Sequence, residues 1–256
     1  MSVVFRRVSY RGTLYLFHIL VALLVSIFYP FVTGKQWIYS AQGKQFKRWW
    51  HRRALDILGI HLTQQGQPTR LTSLVVSNHI SFLDISVIAS VCDVTFLSKS
   101  TLRFWPIIGF VSARMGTVFI PRQNKMHLLN VKYSISEIMQ QNMSLVIFPE
   151  GTTTLGKTVS RFHSGLLQSA IDTNKPVQPV ALSYIRAGKN DRVAAYIDKD
   201  NFVTSIIKIM AQPKTNVYIS LCESLDSQSK TRHELAATSR HLISNKIHSH
   251  QIQTAA

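Results

Sequence analysis

A histidine and an aspartate five positions apart are the first side chains in this sequence that could do chemistry together. They are His79 and Asp84 in the segment NHISFLD, residues 78–84. The segment directly follows a short apolar run that is typical of a strand, so His79 would lie in a loop at the strand end and Asp84 in the first turn of the next helix. A carboxylate on one imidazole nitrogen fixes the tautomer, and the other nitrogen can then take a proton from an attacking hydroxyl. The segment therefore predicts a general base and the residue that orients it.

The same residues also allow a purely structural interpretation. A spacing of five does not put two side chains on one helical face, which needs three or four, so a strand–loop–helix turn has to bring them together. Ser81-x-x-Asp84 resembles a capping box, in which Asp84 only caps a helix. His79 could equally be a polar loop residue, and the segment alone leaves both interpretations open.

Two later segments have the same form, a short strand followed by a residue with functional chemistry. GTVFIPR, residues 116–122, is a predicted strand that Gly116 precedes and Arg122 follows. The guanidinium of Arg122 could bind a phosphate with two parallel hydrogen bonds. FPEGT, residues 148–152, ends an apolar strand in a tight turn. A lone arginine is usually solvated and Pro-Gly turns are common, so each segment has a plain alternative.

The elements that must position these residues alternate between short apolar runs and helical segments. Strands are predicted at 74–77, 94–98, 118–120, 145–148, 177–183 and 217–221, and helices at 82–91, 127–139, 164–172 and 231–248. This alternation predicts an α/β fold, a mixed sheet with helices covering its faces. The apolar segment 202–210 could be a helix or a membrane-facing patch.

Taken in order, the segments resemble the glycerolipid acyltransferase family, best known from bacterial 1-acylglycerol-3-phosphate acyltransferases. Asn78, His79 and Asp84 match its N-H-x-x-x-x-D motif. Residues 116–122 match G-x-x-F-I-x-R, 148–152 match F-P-E-G-T, and 177–180 match its fourth motif, a strand built around a proline and a valine. Residues 161–165, RFHSG, resemble its F-K-x-G turn, with His163 where lysine is common. The resemblance covers roughly residues 70 to 225.

The resemblance implies a role for each matched residue. His79 would be the general base and Asp84 its orienter. Arg122 would hold the anionic head of the acceptor. The other residues expected at the substrate are Asn78, Gly116, Glu150, Gly151 and Thr152.

One departure from the family pattern concerns the acceptor. The third motif often continues as T-R-S, whereas here it reads Thr152-Thr153-Thr154. The missing arginine weakens a specific assignment to lysophosphatidic acid, although Lys157 or Arg161 could substitute. The Thr-rich form also resembles relatives that acylate lyso-ornithine lipid.

The N-terminal region predicts attachment to a membrane. Residues 13–32 contain no charged side chain, and a helix of that length would cross a hydrocarbon core of about 30 Å. A signal peptide or a buried core helix are the alternatives, and a helix that inserts without spanning, or a hairpin, also fits. More basic residues follow the stretch than precede it, which favours the cytoplasmic face of a bacterial inner membrane. We expect residues 1–54 to form the anchor with its basic interfacial segment, and residues 55–256 the acyltransferase domain.

The predicted function is transfer of a fatty acyl group from acyl-CoA or acyl-carrier protein to the free hydroxyl of a lysophospholipid. The expected acceptor is 1-acylglycerol-3-phosphate, with lyso-ornithine lipid as the alternative. No metal and no cofactor is expected, and no G-x-S-x-G nucleophile elbow occurs. The formal charge of +17 also fits a non-catalytic protein that binds anionic lipid, which would need neither His79 nor Asp84. It would fit nucleic-acid binding too, but that leaves the apolar stretch unexplained and no recognition motif is visible.

Overall fold

The fold is built on one mixed β-sheet, here taken from a computed structural model that describes residues 2–33, 40–120, 125–197 and 200–255. Within these ranges the strands are β1 Ile60–Gln65, β2 Leu74–Ser77, β3 Val94–Lys99, β4 Val118–Ile120, β5 Ser144–Ile147, β6 Val177–Arg186, β7 Lys189–Asn190 and β8 Thr215–Leu221. The helices are α1 Val3–Thr33, α2 Ala41–Leu58, α3 Leu83–Ala89, α4 Ile108–Arg114, α5 Lys125–Gln140, α6 Gln168–Asp172, α7 Phe202–Ala211 and α8 Arg232–Ala255. Short 3-10 helices cover Ser100–Phe104 and Ser164–Leu167.

The strand order is β1-β8-β6-β2-β5-β3-β4, and β7 extends β6 as a short antiparallel partner. The five strands from β6 to β4 are parallel, whereas β8 is antiparallel to β6 and parallel to β1. The carboxyl ends of β2 and its neighbour β5 therefore meet at one edge of the sheet. This is the edge at which α/β folds usually place reactive groups.

Helices bury both faces of the sheet, as the near-continuous apolar strands require. On β2, Val75 points into a core formed with α2, α3 and α7, while Leu74 and Val76 point into a second core formed with α5 and α8. Alternation of this kind follows from the two-residue period of a strand. The predicted fold class, a mixed α/β sheet covered by helices, is confirmed.

The N-terminal apolar helix is longer than the predicted stretch. A segment of 27 residues within α1, Val3–Tyr29, is long and apolar enough to span a membrane, since it measures about 40 Å. The helix α2 packs against it in antiparallel fashion: the rings of His18 and Trp50 stack 3.6 Å apart, and Arg11 reaches Gly59 at the end of α2. α2 also continues through residues 54 and 55, where the domain division is predicted, and that division stays a prediction.

Candidate active site

The predicted catalytic pair comes together at the carboxyl end of β2. The Nδ1–H of His79 donates a hydrogen bond of 2.7 Å to Oδ2 of Asp84. The chain between them makes a tight turn, in which the backbone N–H of Asp84 donates to the carbonyl of Ser81, and α3 begins at Leu83. Nε2 of His79 has no hydrogen-bond partner within the described residues, and the side chain keeps 22% of its surface exposed. The ring can therefore meet a substrate with the nitrogen that is opposite the carboxylate.

Asp84 is fully buried and well supplied with donors. Besides His79, the backbone N–H groups of Ile80 and Ser81 donate to Oδ2, at 2.7 and 2.9 Å. The hydroxyl of Tyr184, from β6, donates to Oδ1 at 2.8 Å. Four hydrogen bonds compensate for the burial of this carboxylate, which would otherwise be strongly unfavourable. The bond from the backbone N–H of Ser81 to Asp84 is one of the two bonds of a capping box. Asp84 makes it together with the bond to His79.

Tyr184 is a donor to Asp84 at any ordinary pH. Burial, followed by the negative charge of Asp84, raises the pKa of the Tyr184 hydroxyl well above its usual value. The proton therefore stays on the tyrosine oxygen, and the bond to Oδ1 holds the carboxylate plane in place. Nothing in the sequence near Tyr184 indicated this role, because 100 positions separate it from Asp84.

The FPEGT turn holds the loop that carries His79. The ring of Phe148 stacks on the imidazole with centroids 4.0 Å apart. One oxygen of Glu150 accepts the backbone N–H of His79 at 2.8 Å, and the other accepts that of Ser160 at 3.0 Å. The backbone N–H of Thr154 donates to the carbonyl of His79 at 2.9 Å. The FPEGT turn thus positions the NHISFLD segment. This is possible because β2 and β5 are neighbouring strands.

The other residues that were predicted to bind substrate lie in different surroundings. The amide of Asn78 is buried and bridges to the backbone of Leu182 in both directions, at 2.9 and 3.0 Å, so it extends the pairing of β2 with β6. Gly116 precedes β4 with a φ of 88°, and its carbonyl accepts from the hydroxyl of Thr95. Gly151 has a φ of 74°, a Cβ there would be in ordinary contact with the ring of His163, and Thr152 is exposed beside it. Arg122 lies outside the described residues. The assignment of all these residues to substrate stays a prediction.

A cavity of about 740 Å³ lies beside the FPEGT turn. Phe148 and Gly151 form one side of it, and Arg161 and His163 from the RFHSG turn form another. Arg240 from α8 also lines it, but its guanidinium donates to the carbonyls of Val159 and Ser160. Arg161 is exposed and makes no hydrogen bond or ion pair within the described part of the chain, so its charge is available to an anionic group.

No set of three or more His, Cys, Asp or Glu side chains that could hold a metal ion occurs in the described ranges. The two cysteines, Cys92 and Cys222, are both buried as free thiols. Burial, and then the neighbouring Asp93, raises the pKa of the Cys92 thiol to about 12. A protonated thiol is a poor nucleophile. The catalytic role of the pair formed by His79 and Asp84 stays a prediction.

Comparison with known proteins shows the family of this chain. Residues 51–183 match the Acyltransferase family model, and the chain belongs to this acyltransferase family. The predicted enzyme class is thereby confirmed. A lyso-ornithine lipid O-acyltransferase from Pseudomonas aeruginosa is 34% identical over 78% of this chain and 77% of its own length. A 1-acyl-sn-glycerol-3-phosphate acyltransferase from Neisseria gonorrhoeae is 30% identical over 71% of each chain.

The fold has a close counterpart among solved structures. The crystal structure of the 1-acyl-sn-glycerophosphate acyltransferase from Thermotoga maritima superposes with a TM-score of 0.64, covering 93% of this chain and 97% of that one. Sequence identity with it is 19%, so this comparison supports the fold and not the choice of acceptor.

Proposed function

We propose that this enzyme transfers a fatty acyl group from a thioester donor, acyl-CoA or acyl-carrier protein, to the free hydroxyl of a membrane lysolipid. The observation that carries the proposal is the 2.7 Å bond between Nδ1 of His79 and the buried carboxylate of Asp84. It gives an imidazole whose Nδ1 is occupied by a proton and whose Nε2 is available as a base. Family membership supplies the reaction class to which this base is applied.

The proposed reaction needs no acyl-enzyme. Nε2 of His79 removes the proton from the acceptor hydroxyl as its oxygen attacks the thioester carbonyl. The tetrahedral intermediate collapses by breaking the carbon–sulfur bond. The departing thiolate takes the proton back from the imidazolium, so the products are an ester and a free thiol. General base catalysis of this kind contributes about 10²–10⁴-fold.

Asp84 stabilises the imidazolium that forms during this step. Its carboxylate faces the imidazole in a buried setting, where charges interact more strongly than in water. The donors from Ile80, Ser81 and Tyr184 keep it in one orientation. Glu150 acts, in this proposal, as a positioning residue, because both of its oxygens are occupied by backbone N–H groups.

The acceptor that we propose is 1-acylglycerol-3-phosphate, in line with the Neisseria relative. Its phosphate would be bound by Arg122, with Asn78, Gly116, Gly151 and Thr152 shaping the site. Arg161, which lines the cavity beside Gly151, would supply the cation that the Thr152-Thr153-Thr154 sequence lacks. A guanidinium suits this role, because its planar donors match two phosphate oxygens.

Lyso-ornithine lipid is a second candidate acceptor. It is supported by the Pseudomonas relative and by the threonines that replace T-R-S after Gly151. Its head carries a carboxylate in place of the phosphate, which a guanidinium also binds through two parallel hydrogen bonds. The two candidates thus share their catalytic groups and differ in the head that the cations meet.

Membrane attachment through α1 fits either acceptor, since both are lipids. The basic residues that follow α1 favour the cytoplasmic face of a bacterial inner membrane. Acyl-CoA and acyl-carrier protein are both cytoplasmic donors, which is consistent with that placement.

The test is a panel of purified full-length proteins against both acceptors, each with acyl-CoA and with acyl-carrier protein. We expect wild type to acylate one acceptor strongly and His79→Ala to lose transfer while staying folded and membrane-bound. His61→Ala is the matched control, because His61 is exposed on β1 and should keep full rate. Normal transfer by His79→Ala would contradict the proposed base, and acylation of neither acceptor would contradict the proposed substrate class.

A further inference from the structure

An exposed apolar surface lies on the part of the fold that adjoins α1. Phe104 is 82% exposed and Val203 on α7 is 62% exposed. Large apolar side chains rarely cluster in water without a partner. We call this cluster the α4–α7 surface, and it comprises Phe104, Trp105, Ile107, Phe110, Val203 and Ile207.

The backbone itself presents part of this surface. Ile107 has a φ of 63°, although it is β-branched, and its side chain is 39% exposed. Such a conformation is strained and persists only where the surroundings impose it. The next turn is tight as well, because a Cβ at Gly109 would meet the carbonyl oxygen of Arg103 at 2.3 Å.

The α4–α7 surface is continuous with the apolar helix α1. Arg11 donates to the carbonyls of Met210, Gln212 and Pro213 at the end of α7. Arg7 donates to the carbonyl of Ala211 at 2.7 Å. Cations at the carboxyl end of a helix bind its unpaired carbonyls and complement its dipole. α4 packs against α1 as well, so both helices of the surface are joined to the candidate membrane helix.

Basic residues predominate around the surface, although Asp200 lies two positions before the start of α7. No Asp or Glu occurs between residues 94 and 136, and α7 contains none. Arg103, Arg114 and Lys208 are exposed beside the apolar side chains, and the guanidinium of Arg114 lies 5.3 Å from the ring centroid of Phe110. Aromatic and aliphatic side chains with basic neighbours are typical of segments that lie in the headgroup region of anionic membranes.

The surface is also linked to the loop that carries His79 and Asp84, through the ring of Phe202. The ring of Phe202 contacts Phe82 at a centroid distance of 4.9 Å and Trp105 at 5.5 Å. Phe82 lies two positions before Asp84. Tyr196 completes the cluster: its ring is 5.6 Å from Phe82, and its backbone N–H donates to the carbonyl of Ile80 at 2.9 Å.

We propose that the α4–α7 surface is a second membrane-binding surface, which inserts into the headgroup region beside α1 and holds the His79–Asp84 loop at the depth of the lysolipid hydroxyl. The inference rests on the proposed action on a membrane lipid. The bilayer is the occupant that the structure favours, because the surface adjoins an apolar helix of membrane-spanning length and carries positive charge at its margin.

The test places single surface cysteines in the full-length protein and labels them with bimane. Cys92 and Cys222 are buried, so an introduced cysteine is labelled selectively. Phe104→Cys and Val203→Cys report on the surface, and Leu24→Cys on α1 is the positive control. Tyr133→Cys on α5 and Ile252→Cys on α8 are matched controls, since both are exposed large apolar residues, at 69% and 58%. The labelled proteins are reconstituted in vesicles of phosphatidylglycerol and phosphatidylethanolamine, with and without a doxyl quencher on the upper acyl chain.

We expect the doxyl lipid to quench bimane at positions 104, 203 and 24, and to leave positions 133 and 252 unquenched. Quenching at 24 with none at 104 and 203 would overturn the inference while leaving the proposed function intact. A loss of quenching at positions 104 and 203 that depends on protein concentration, or on added acyl-carrier protein, would also overturn it. Failure of the proposed function would be seen separately, as a wild type that transfers no acyl group.

A kinetic measurement gives an independent readout. Phe104→Glu combined with Val203→Glu should raise the apparent KM for an acceptor in vesicles about tenfold or more, because two apolar side chains lose their burial in lipid. The kcat with a short-chain, monodisperse acceptor should stay unchanged, because neither residue contacts the catalytic pair. Tyr133→Glu is the control for added charge. Equal KM values for the double variant and this control would overturn the inference.

Discussion

Replacing Asp84 with asparagine removes one charge and almost no volume, so it separates the proposed catalytic role of this residue from its capping role. An asparagine has one amide oxygen and one NH2 group to put in place of two carboxylate oxygens. Three donors converge on Oδ2, from His79, Ile80 and Ser81, whereas Oδ1 meets only Tyr184. The amide oxygen should therefore occupy the Oδ2 position. The NH2 group then faces the tyrosine hydroxyl, which can rotate to accept.

In that orientation the tautomer of His79 is kept and only the charge is lost. Two unit charges 4 Å apart interact with about 4 kcal/mol at an effective dielectric constant of 20. A transition state in which the proton is partly transferred would gain most of this interaction energy. We therefore expect its loss to raise the barrier by about 3 kcal/mol and to lower kcat about 100-fold. The opposite amide orientation would force the wrong tautomer and lower kcat by about 10⁴-fold. Replacing charge-assisted bonds with neutral ones should also lower the free energy of unfolding by about 1–3 kcal/mol.

The assay pairs initial rates at saturating acceptor with thermal unfolding of the same preparation. Asp191→Asn is the matched control, because Asp191 is a buried carboxylate whose side chain makes no hydrogen bond to His79, Asp84 or Tyr184. It accepts from the backbone of Val193 at 2.9 Å and from Arg186 at 3.1 Å. This control should unfold at a lower temperature with an unchanged kcat. If Asp84→Asn behaved in the same way, the capping role would be the whole role of Asp84 and the proposed orienting role would be refuted.

Three further predictions test the acceptor site, the anchor and the packing of the N-terminal helices. Arg122→Lys should raise KM for a phosphate-bearing lysolipid more than it lowers kcat, because lysine offers a point charge in place of two parallel donors; a KM that is unchanged for every acceptor would remove Arg122 from the headgroup site. Deletion of residues 1–34 should weaken membrane attachment, so that the protein shifts from membranes to solution or aggregates and loses activity on bilayer substrates; sedimentation with membranes at high salt would instead show that a surface other than α1, such as the α4–α7 surface, is a sufficient anchor. Burial, and then the positive charge of Lys47, lowers the pKa of His51 from 6.5 to about 3. Below pH 6.5 the unfolded chain therefore binds a proton that the folded chain does not, and His51 makes stability fall by about 1.4 kcal/mol per pH unit as the pH approaches 3. His51→Gln should flatten the acid side of the unfolding curve, and a slope equal to that of wild type would show that His51 is not the responsible group.

Local sequence patterns predicted those elements whose residues carry a clear period or boundary. β2 and β4 have the predicted bounds, and α5 matches the spacing of its apolar residues to within two positions at its ends. The strand β1, Ile60–Gln65, was not predicted, because only its first residue is buried and the rest is largely polar. It forms because it pairs with β8 in register over its whole length. The open question over residues 202–210 is answered by α7, which buries Ile209 and Met210 and exposes Val203 and Ile207.

The sequence by itself determined which residues are the candidates for the chemistry, since the types and spacing of His79, Asp84 and the FPEGT turn are local properties. Their geometry is not local. Asp84 accepts a hydrogen bond from Tyr184 because β6 lies next to β2. His79 contacts Glu150 and Phe148 because β5 lies on the other side of β2. The order of strands depends on which arrangement buries both faces of the sheet, and this is a property of the whole chain that no window of residues contains. Hydrophobic periodicity therefore predicts strands and helices one at a time, while only the packed sheet decides which side chains meet at its edge.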